Sequence, residues 1–128
     1  MNAQTGVPLW TVHVDNHPSA SITGSPKLVG DRLYVPVSGG GEEVAAEDPN
    51  FACCKFRGSL VELEVRTGKQ MWKSYTISDV AKITGKTAKG TEVWGPSGAA
   101  IWSTPTIDLR KHEWCIVEIL QAQAGVLA

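Results

Sequence analysis

Thr5-Gly6-Val7-Pro8-Leu9-Trp10 and Thr67-Gly68-Lys69-Gln70-Met71-Trp72 are the same phrase, T-G-x-x-x-W, written twice in one chain. Glycine supplies the positive-φ position of a turn between strands, threonine can bond the turn backbone, and tryptophan can cover a seam between adjacent sheets. A second pair of matching strand openers, Ser25-Pro26 and Thr104-Pro105, lies between and beyond them. The Trp-to-Trp step is 62 residues and the Pro-to-Pro step is 79. A four-stranded propeller blade takes about 40–45 residues, so each step fits one blade with long loop insertions. The repeat therefore predicts an all-β partial β-propeller: about one complete four-stranded blade, from about 22 to 77, plus strands of two neighbours. A blade cannot bury both its faces alone, so its stability depends on what packs against it.

The stretches around the repeat read accordingly. Leu9 to Val14 alternates, with Trp10, Val12 and Val14 on one face, and predicts a half-buried strand ended by Asn16-His17-Pro18. Ser25 to Val29, the Gly30-Asp31 turn and Arg32 to Val37 read as a hairpin. Pro26 opens its strand, and Pro36 argues against a central position for the second one. Ser38 to Cys54 reads as a long loop of the kind that is functional or disordered. Ser59 to Val65, the turn at Arg66-Thr67-Gly68 and Gln70 to Ile77 make two further strands. Ser78 to Thr91 reads as solvated loop, Trp94 to Ala100 as a turn, and Ser103 to Asp108 as the start of another strand.

Composition agrees and excludes several classes. The chain has 128 residues, 42% hydrophobic and 20% charged, which suits one soluble globular domain. Lys+Arg total 12 against 13 Asp+Glu, with no basic stripe, so nucleic acid is not the expected partner. No apolar run is long enough to span a membrane. No charged start followed by an apolar stretch marks an export signal. Thirteen Gly, seven Pro and five Trp fit many short strands with frequent turns. Three Cys, two of them adjacent, are not a disulfide scaffold.

Four further segments occur in order: Ile22-Thr23-Gly24-Ser25-Pro26, Tyr34-Val35-Pro36-Val37-Ser38, Cys53-Cys54-Lys55-Phe56-Arg57-Gly58-Ser59, and Trp94-Gly95-Pro96-Ser97-Gly98-Ala99-Ala100-Ile101-Trp102. Together with T-G-x-x-x-W, the stretch from about 5 to 108 resembles the quinoprotein alcohol dehydrogenases, and most the polyvinyl-alcohol dehydrogenase branch. That family uses pyrroloquinoline quinone (PQQ) and Ca²⁺ near the axis of an eight-bladed propeller, so the resemblance implies a fragment of about a quarter of it. After His112 the resemblance stops, which divides the chain into a propeller segment, 1–112, and a non-family tail, 113–128. The tail is apolar at Ile116, Val117, Ile119 and Leu120, and a helix is one reading of it.

The resemblance also implies site residues, each with a plainer reading beside it. Thr23 and Ser38 match the hydroxyls that bond the quinone carboxylates, and Gly39 and Gly40 follow where backbone N–H groups approach an anion. The plainer reading is a glycine-rich turn after a strand. Glu42 matches the Ca²⁺ carboxylate, with Glu43 as the alternative, because one extra Gly precedes it. Ca²⁺ takes six to eight oxygens, and the family's Asn and downstream Asp have no counterpart here. Cys53 and Cys54 are neighbours that can close a vicinal disulfide, which the resemblance implies would face the cofactor, and two thiols is the equal alternative. Arg57 resembles an arginine beside the metal carboxylate, or is a strand-end charge. Trp102 resembles the indole on which the quinone stacks, or is a seam tryptophan like Trp10 and Trp72.

Other motifs fail. Gly85-Lys86-Thr87 lacks the first glycine of a phosphate loop, and Gly95-Pro96-Ser97-Gly98 lacks the last glycine of a nucleophile elbow. His13 and His17 lie on extended chain before Pro18 and do not make a metal pair. Two functions remain as expectations. One is a fragment of a PQQ-dependent alcohol dehydrogenase that does not turn over alone. The other is a non-catalytic β-sheet module that self-associates through open blade edges or joins the remaining blades. The family is periplasmic or secreted; this chain's own sequence assigns no location.

Overall fold

A computed structural model describes residues 1–108, and the backbone of 113–115 and 119–120. Its centre is an antiparallel meander of β1 (Ala20–Ser21), β2 (Lys27–Val29), β3 (Arg32–Gly39), β4 (Ser59–Glu64) and β5 (Gln70–Tyr75). β1 and β2 both pair with β3, against Ser38–Gly39 and Arg32–Tyr34 respectively. They make one interrupted first strand, so the meander is the four-stranded blade that the repeat predicts. β3 is central, contrary to the reading of Pro36. The physical reason is the interruption: Pro36 falls between the two stretches of β3 that pair with β1 and β2, where no ladder bond is asked of its missing N–H.

The tight turns carry the expected chemistry. Gly30 and Gly68 have φ of 58° and 73°. Gly68 also lies flat against Trp10, whose ring would be 2.6 Å from a Cβ there, and Trp10 Nε1 donates to the Val65 carbonyl at 2.9 Å. This is the seam contact that the T-G-x-x-x-W phrase implies. Residues 9–14 themselves form no strand, which corrects that reading. Among the described residues no neighbouring strand offers them a ladder. They are held instead by Trp10 and by the ammonium of Lys73, which donates to the Val14 carbonyl at 3.1 Å.

Two expected loops have structure. A short helix, α1 (Gly41–Ala45), follows β3 directly. The segment read as solvated loop forms a hairpin of β6 (Lys82–Lys86) and β7 (Glu92–Gly95). β6 is exposed along its whole length, so burial leaves no hydrophobic pattern in it to read. The turn is fixed by the Thr87 N–H on the Thr91 carbonyl and by Gly90 at φ 85°. β8 (Ala100–Ile101) and β9 (Thr106–Asp108) then repeat the interrupted first strand of the blade. β10 (Glu113–Cys115) pairs with β9, and β11 (Ile119–Leu120) with β8. The described parts of the tail are thus strands and not the helix considered above, because two open edges are there for them to pair with. The rest of the tail lies outside the described residues.

The core joins the blade to this second first strand. Val35, Val37, Phe56, Val61, Leu63 and Ala100 are buried together, with Trp10, Val14, Ala20, Leu33 and Trp102 packed against them. Burying such side chains is the main force holding a sheet to its neighbour, at roughly 1.5–3 kcal/mol for each large one. Gly58, before β4, and Gly24, in the break of the first strand, let the blade approach the second first strand: a Cβ at Gly58 would lie 2.1 Å from the Ala99 carbonyl oxygen, and one at Gly24 2.6 Å from Ser103 backbone.

Candidate functional site

Thr23 and Ser38 meet where β1 breaks off and β3 ends. The Ser38 hydroxyl is fully buried and donates to the Ser21 carbonyl at 3.1 Å. Thr23 Oγ1 lies 2.9 Å from Ser38 Oγ and 3.2 Å from the Trp102 carbonyl, so its one proton can go to either acceptor. Both hydroxyls can therefore turn to an incoming anion only by leaving a present partner. Gly39 has no room for a side chain, since a Cβ would stand 2.8 Å from the Ser19 carbonyl and 2.9 Å from the Phe56 ring. A Cβ on Gly40 would be 3.6 Å from the edge of the Trp102 indole. Trp102 Nε1 and Ser103 Oγ are buried and find no partner among the described residues. Orphaned buried donors are rare in proteins and cost about 1–3 kcal/mol each, which is a reason to expect a group there in the working protein.

Glu42 sits in the first turn of α1 and is 8% exposed. Its Oε2 accepts the backbone N–H groups of Lys55 and Phe56 at 2.8 and 2.7 Å. Its Oε1 is 3.4 Å from His17 Nε2. His17 Nδ1 accepts the Ser19 N–H at 3.1 Å, which leaves Nε2 as the protonated nitrogen aimed at Glu42. The ring stands edge-on to Phe56, with centroids 5.5 Å apart. Glu42 thus clamps the chain after the cysteines to the end of β3. Cys53 and Cys54 form a vicinal disulfide, which decides between the two states left open by the sequence. Its sulfurs lie 3.7 and 3.9 Å from the Glu42 carbonyl.

The disulfide and Glu42 form one wall of a cavity of about 500 Å³ between α1 with the turn after it and the β6–β7 hairpin. None of Thr23, Ser38, Gly39, Gly40 and Trp102 lines it. The candidate residues therefore fall into two adjoining groups: a hydroxyl–glycine–indole corner between the two first strands, and an acid–disulfide wall behind it. Arg57 belongs to neither. Its guanidinium donates to the carbonyls of Ile77, Ser78 and Asp79 at 3.1–3.2 Å and lies 4.0 Å over the Tyr75 ring. That matches the strand-end reading and not a position beside the carboxylate.

The described residues do not make a Ca²⁺ site by themselves. Three N–H donors already face the Glu42 carboxylate, and no group of three or more His, Cys, Asp or Glu stands close enough to hold a metal among the described residues. Two features escaped the sequence reading. His17 is one, although Asp15-x-His17 carries the signal of an Asx turn, in which the Asp15 carboxylate accepts the His17 N–H at 2.7 Å. The other is the ion pair of Asp15 with Lys73, whose side chains are 9% and 14% exposed. Burial pushes the Asp15 carboxyl up, but the Lys73 ammonium and the His17 N–H outweigh it and hold it below 3.8.

A four-stranded antiparallel blade, abutting the interrupted first strand of a second blade and carrying a polar corner between the two, defines a segment of an all-β propeller. No family model matches the chain. Polyvinylalcohol dehydrogenase from a Pseudomonas species is 42% identical to it over 111 residues, covering 87% of this chain and 17% of that protein. Polyvinylalcohol dehydrogenase from Sphingopyxis sp. (strain 113P3) is 44% identical over 108 residues, covering 84% and 16%. Quinohemoprotein alcohol dehydrogenase ADH-IIG from Pseudomonas putida is 30% identical over 95 residues, covering 73% and 11%. Over the matched residues the chain is similar to the quinoprotein alcohol dehydrogenases, and to polyvinylalcohol dehydrogenases at 42–44% identity. It spans 16–17% of the length of those two polyvinylalcohol dehydrogenases.

Proposed function

We propose that this chain supplies part of the PQQ site of a quinone-dependent alcohol dehydrogenase and does not turn over alcohol by itself. The observation that supports the reading best is the corner where Thr23, Ser38, Gly40 and the unpartnered Trp102 indole meet. When bound, the quinone accepts the two electrons and the hydrogen removed from the alcohol. This chain's residues would hold it. The hydroxyls of Thr23 and Ser38 would turn from their internal acceptors to its carboxylates, and the Gly39–Gly40 backbone would lie close because no side chain intervenes. The flat face of Trp102 would support the ring system. Glu42 would be one oxygen ligand of the accompanying cation, and the other oxygens would come from outside the described residues. Cys53–Cys54 would back the site through the Glu42 carbonyl. Arg57 would brace the end of β5. The family reading carries with it a periplasmic or secreted setting. No described helix is long and apolar enough to cross a membrane.

Tryptophan fluorescence during PQQ titration, with and without excess Ca²⁺, tests this. Saturable quenching that Trp102→Ala abolishes is expected, together with no dye reduction when alcohol is added. Absence of any saturable response would remove the cofactor reading, and alcohol-dependent dye reduction would remove the claim of inactivity. A second reading, self-association through sheet edges, is favoured by one observation: β5 ends the sheet and exposes Met71 and Tyr75 at 44% and 41%. Sedimentation over a hundredfold concentration range would show it as a rising mass.

A further inference from the structure

We propose that the tip of the β6–β7 hairpin, residues 86–92, is a latched cover that opens and closes the cavity beside the Cys53–Cys54 disulfide. The inference stands apart from the cofactor reading, because nothing in it requires a bound quinone. It rests on how unevenly the hairpin is fastened. Backbone bonds hold the base: the Trp94 N–H donates to the Cys53 carbonyl, and the Cys54 N–H to the Trp94 carbonyl at 3.3 Å. The Lys55 ammonium lies 3.9 Å over the Trp94 ring, and the Gly98 N–H on the Phe56 carbonyl extends the attachment into the core. The tip has no such anchor. Lys86, Ala88, Lys89 and Gly90 are exposed, and Thr87, Thr91 and Glu92 are only half-buried. Between base and tip the register of β6 on β7 shifts, from Ile83 opposite Trp94 to Gly85 opposite Val93. Such an irregularity bends a strand, and a Cβ on Gly85 would meet nothing within 4 Å, so the bend has room to move.

One carbonyl latches the tip. Thr91 Oγ1 donates to the Pro49 carbonyl at 2.8 Å, and Thr87 Oγ1 donates to the same oxygen at 3.3 Å. Thr87 Oγ1 also accepts the Lys89 and Thr91 N–H groups and so shapes the turn, which leaves Thr91 as the simpler fastening. Charge draws the same two surfaces together. The hairpin carries Lys82, Lys86 and Lys89 against Glu92, whereas residues 41–51 carry Glu42, Glu43, Glu47 and Asp48 with no lysine or arginine. The Asp48 carboxyl is held below its usual value by its hydrogen bonds with Asn50 first and by the Lys89 charge in smaller part. What the tip closes is the cavity of about 500 Å³, lined by Lys86, Thr87 and Ala88 from the hairpin and by Phe51 and the disulfide from the body. Cys53 and Cys54 are 8% and 7% exposed, so lifting that wall gives solutes a path to them. A segment held by a few exposed polar contacts opens locally while the core stays folded, which is how lids over sites work.

The test uses the whole chain and tris(hydroxypropyl)phosphine, an uncharged reductant that turns the disulfide into two thiols and itself ends as the phosphine oxide. The rate of that reaction reports how often the cavity is open. Thr91→Val keeps the shape and removes the latch hydroxyl, so reduction should quicken about fivefold, the worth of one net hydrogen bond. Lys89→Glu reverses an exposed charge at the tip and should quicken it about two- to threefold. Raising KCl from about 0.02 to about 0.5 M should quicken reduction of the unaltered chain about twofold, and of Lys89→Glu less, because salt screens the attraction. Hydrogen exchange at the Trp94 and Gly98 N–H groups should stay within about twofold in Thr91→Val, since the base remains fastened. Reduction rates unchanged by both substitutions would overturn the proposal. So would Trp94 and Gly98 exchange that quickens in step with reduction, because the segment would then unfold and not hinge. Absence of PQQ quenching alongside the expected rates would remove the cofactor reading and keep the cover.

Discussion

Gly58→Ala should be the most damaging Gly→Ala change among the described glycines compared for space. Gly58 precedes β4 and faces the second first strand at closer range than any side chain permits. A Cβ there would lie 2.1 Å from the Ala99 carbonyl oxygen and 2.8 Å from Ala100 Cα. Both are backbone atoms, so no rotamer change relieves the clash. Ala99 must retreat by about 1 Å to restore ordinary contact, and hydrogen bonds do not survive such stretching. Those at stake are the Gly58 N–H on the Gly98 carbonyl at 2.9 Å and the Gly98 N–H on the Phe56 carbonyl at 2.7 Å. Two such bonds are worth about 1 kcal/mol each net, and overpacking adds about 1–3 kcal/mol. The sum, about 3–5 kcal/mol, is a large part of the total stability of a domain. Urea unfolding followed by circular dichroism measures it. Gly85→Ala is the control, because a Cβ there meets nothing within 4 Å. It should stay within about 0.5 kcal/mol of the unaltered chain. A Gly58→Ala chain less than about 1 kcal/mol destabilised would refute the close approach of the segment before β4 to the second first strand, and with it the placement of Trp102 beside Gly40.

Lys73→Met should cost about 3 kcal/mol, the lower end for breaking a buried pair, because it leaves the Asp15 carboxylate uncompensated. Adding Asp15→Asn should recover part of that loss in a thermal melt. The Asp15 carboxyl is lowered in the folded chain, so its contribution to stability is complete above 3.8 and is lost as pH falls through the folded value. Urea midpoints taken from pH 6 to pH 2 should therefore fall more steeply for the unaltered chain than for Lys73→Met. Glu42→Gln keeps the shape but presents an amide NH₂ to N–H donors, and should cost about 1–3 kcal/mol in the same assay. Trp102→Phe removes a buried unpartnered N–H, so it should leave stability within about 1 kcal/mol while weakening any PQQ quenching.

The blade was legible because its turns are made by residues with one job. Gly30 and Gly68 take positive φ, and the strands between them are apolar and largely buried. The hairpin at 82–95 was not legible, since every residue of β6 is exposed and only its turn is locally specified. Residues 9–14 show the opposite failure. Their alternation is real, but Trp10 and Val14 serve a seam and not a ladder, and alternation alone does not tell these apart. At the site, the family resemblance singled out Thr23, Ser38, Glu42 and Trp102; the structure brings Thr23, Ser38 and Trp102 together and ties Glu42 to Lys55, Phe56 and His17 instead. It missed His17 because the reading asked whether His13 and His17 could share a metal, whereas His17 works alone as a donor to Glu42.

Thr23 and Trp102 are separated by the same 79 residues as Ser25-Pro26 and Thr104-Pro105. They are equivalent positions on two successive first strands, and both fall where that strand is interrupted, between β1 and β2 and between β8 and β9. The interruption matters chemically. A residue inside a ladder has its backbone spent on neighbours and its side chain fixed to one face, whereas one at a break can aim between sheets. One blade places a hydroxyl there and the next an indole, and the 3.2 Å hydrogen bond from Thr23 to the Trp102 carbonyl ties them together. A repeating fold thus builds an unlike pair from like positions: the proline at the foot of each break keeps the geometry, and the residue three places before it is left open to chemistry.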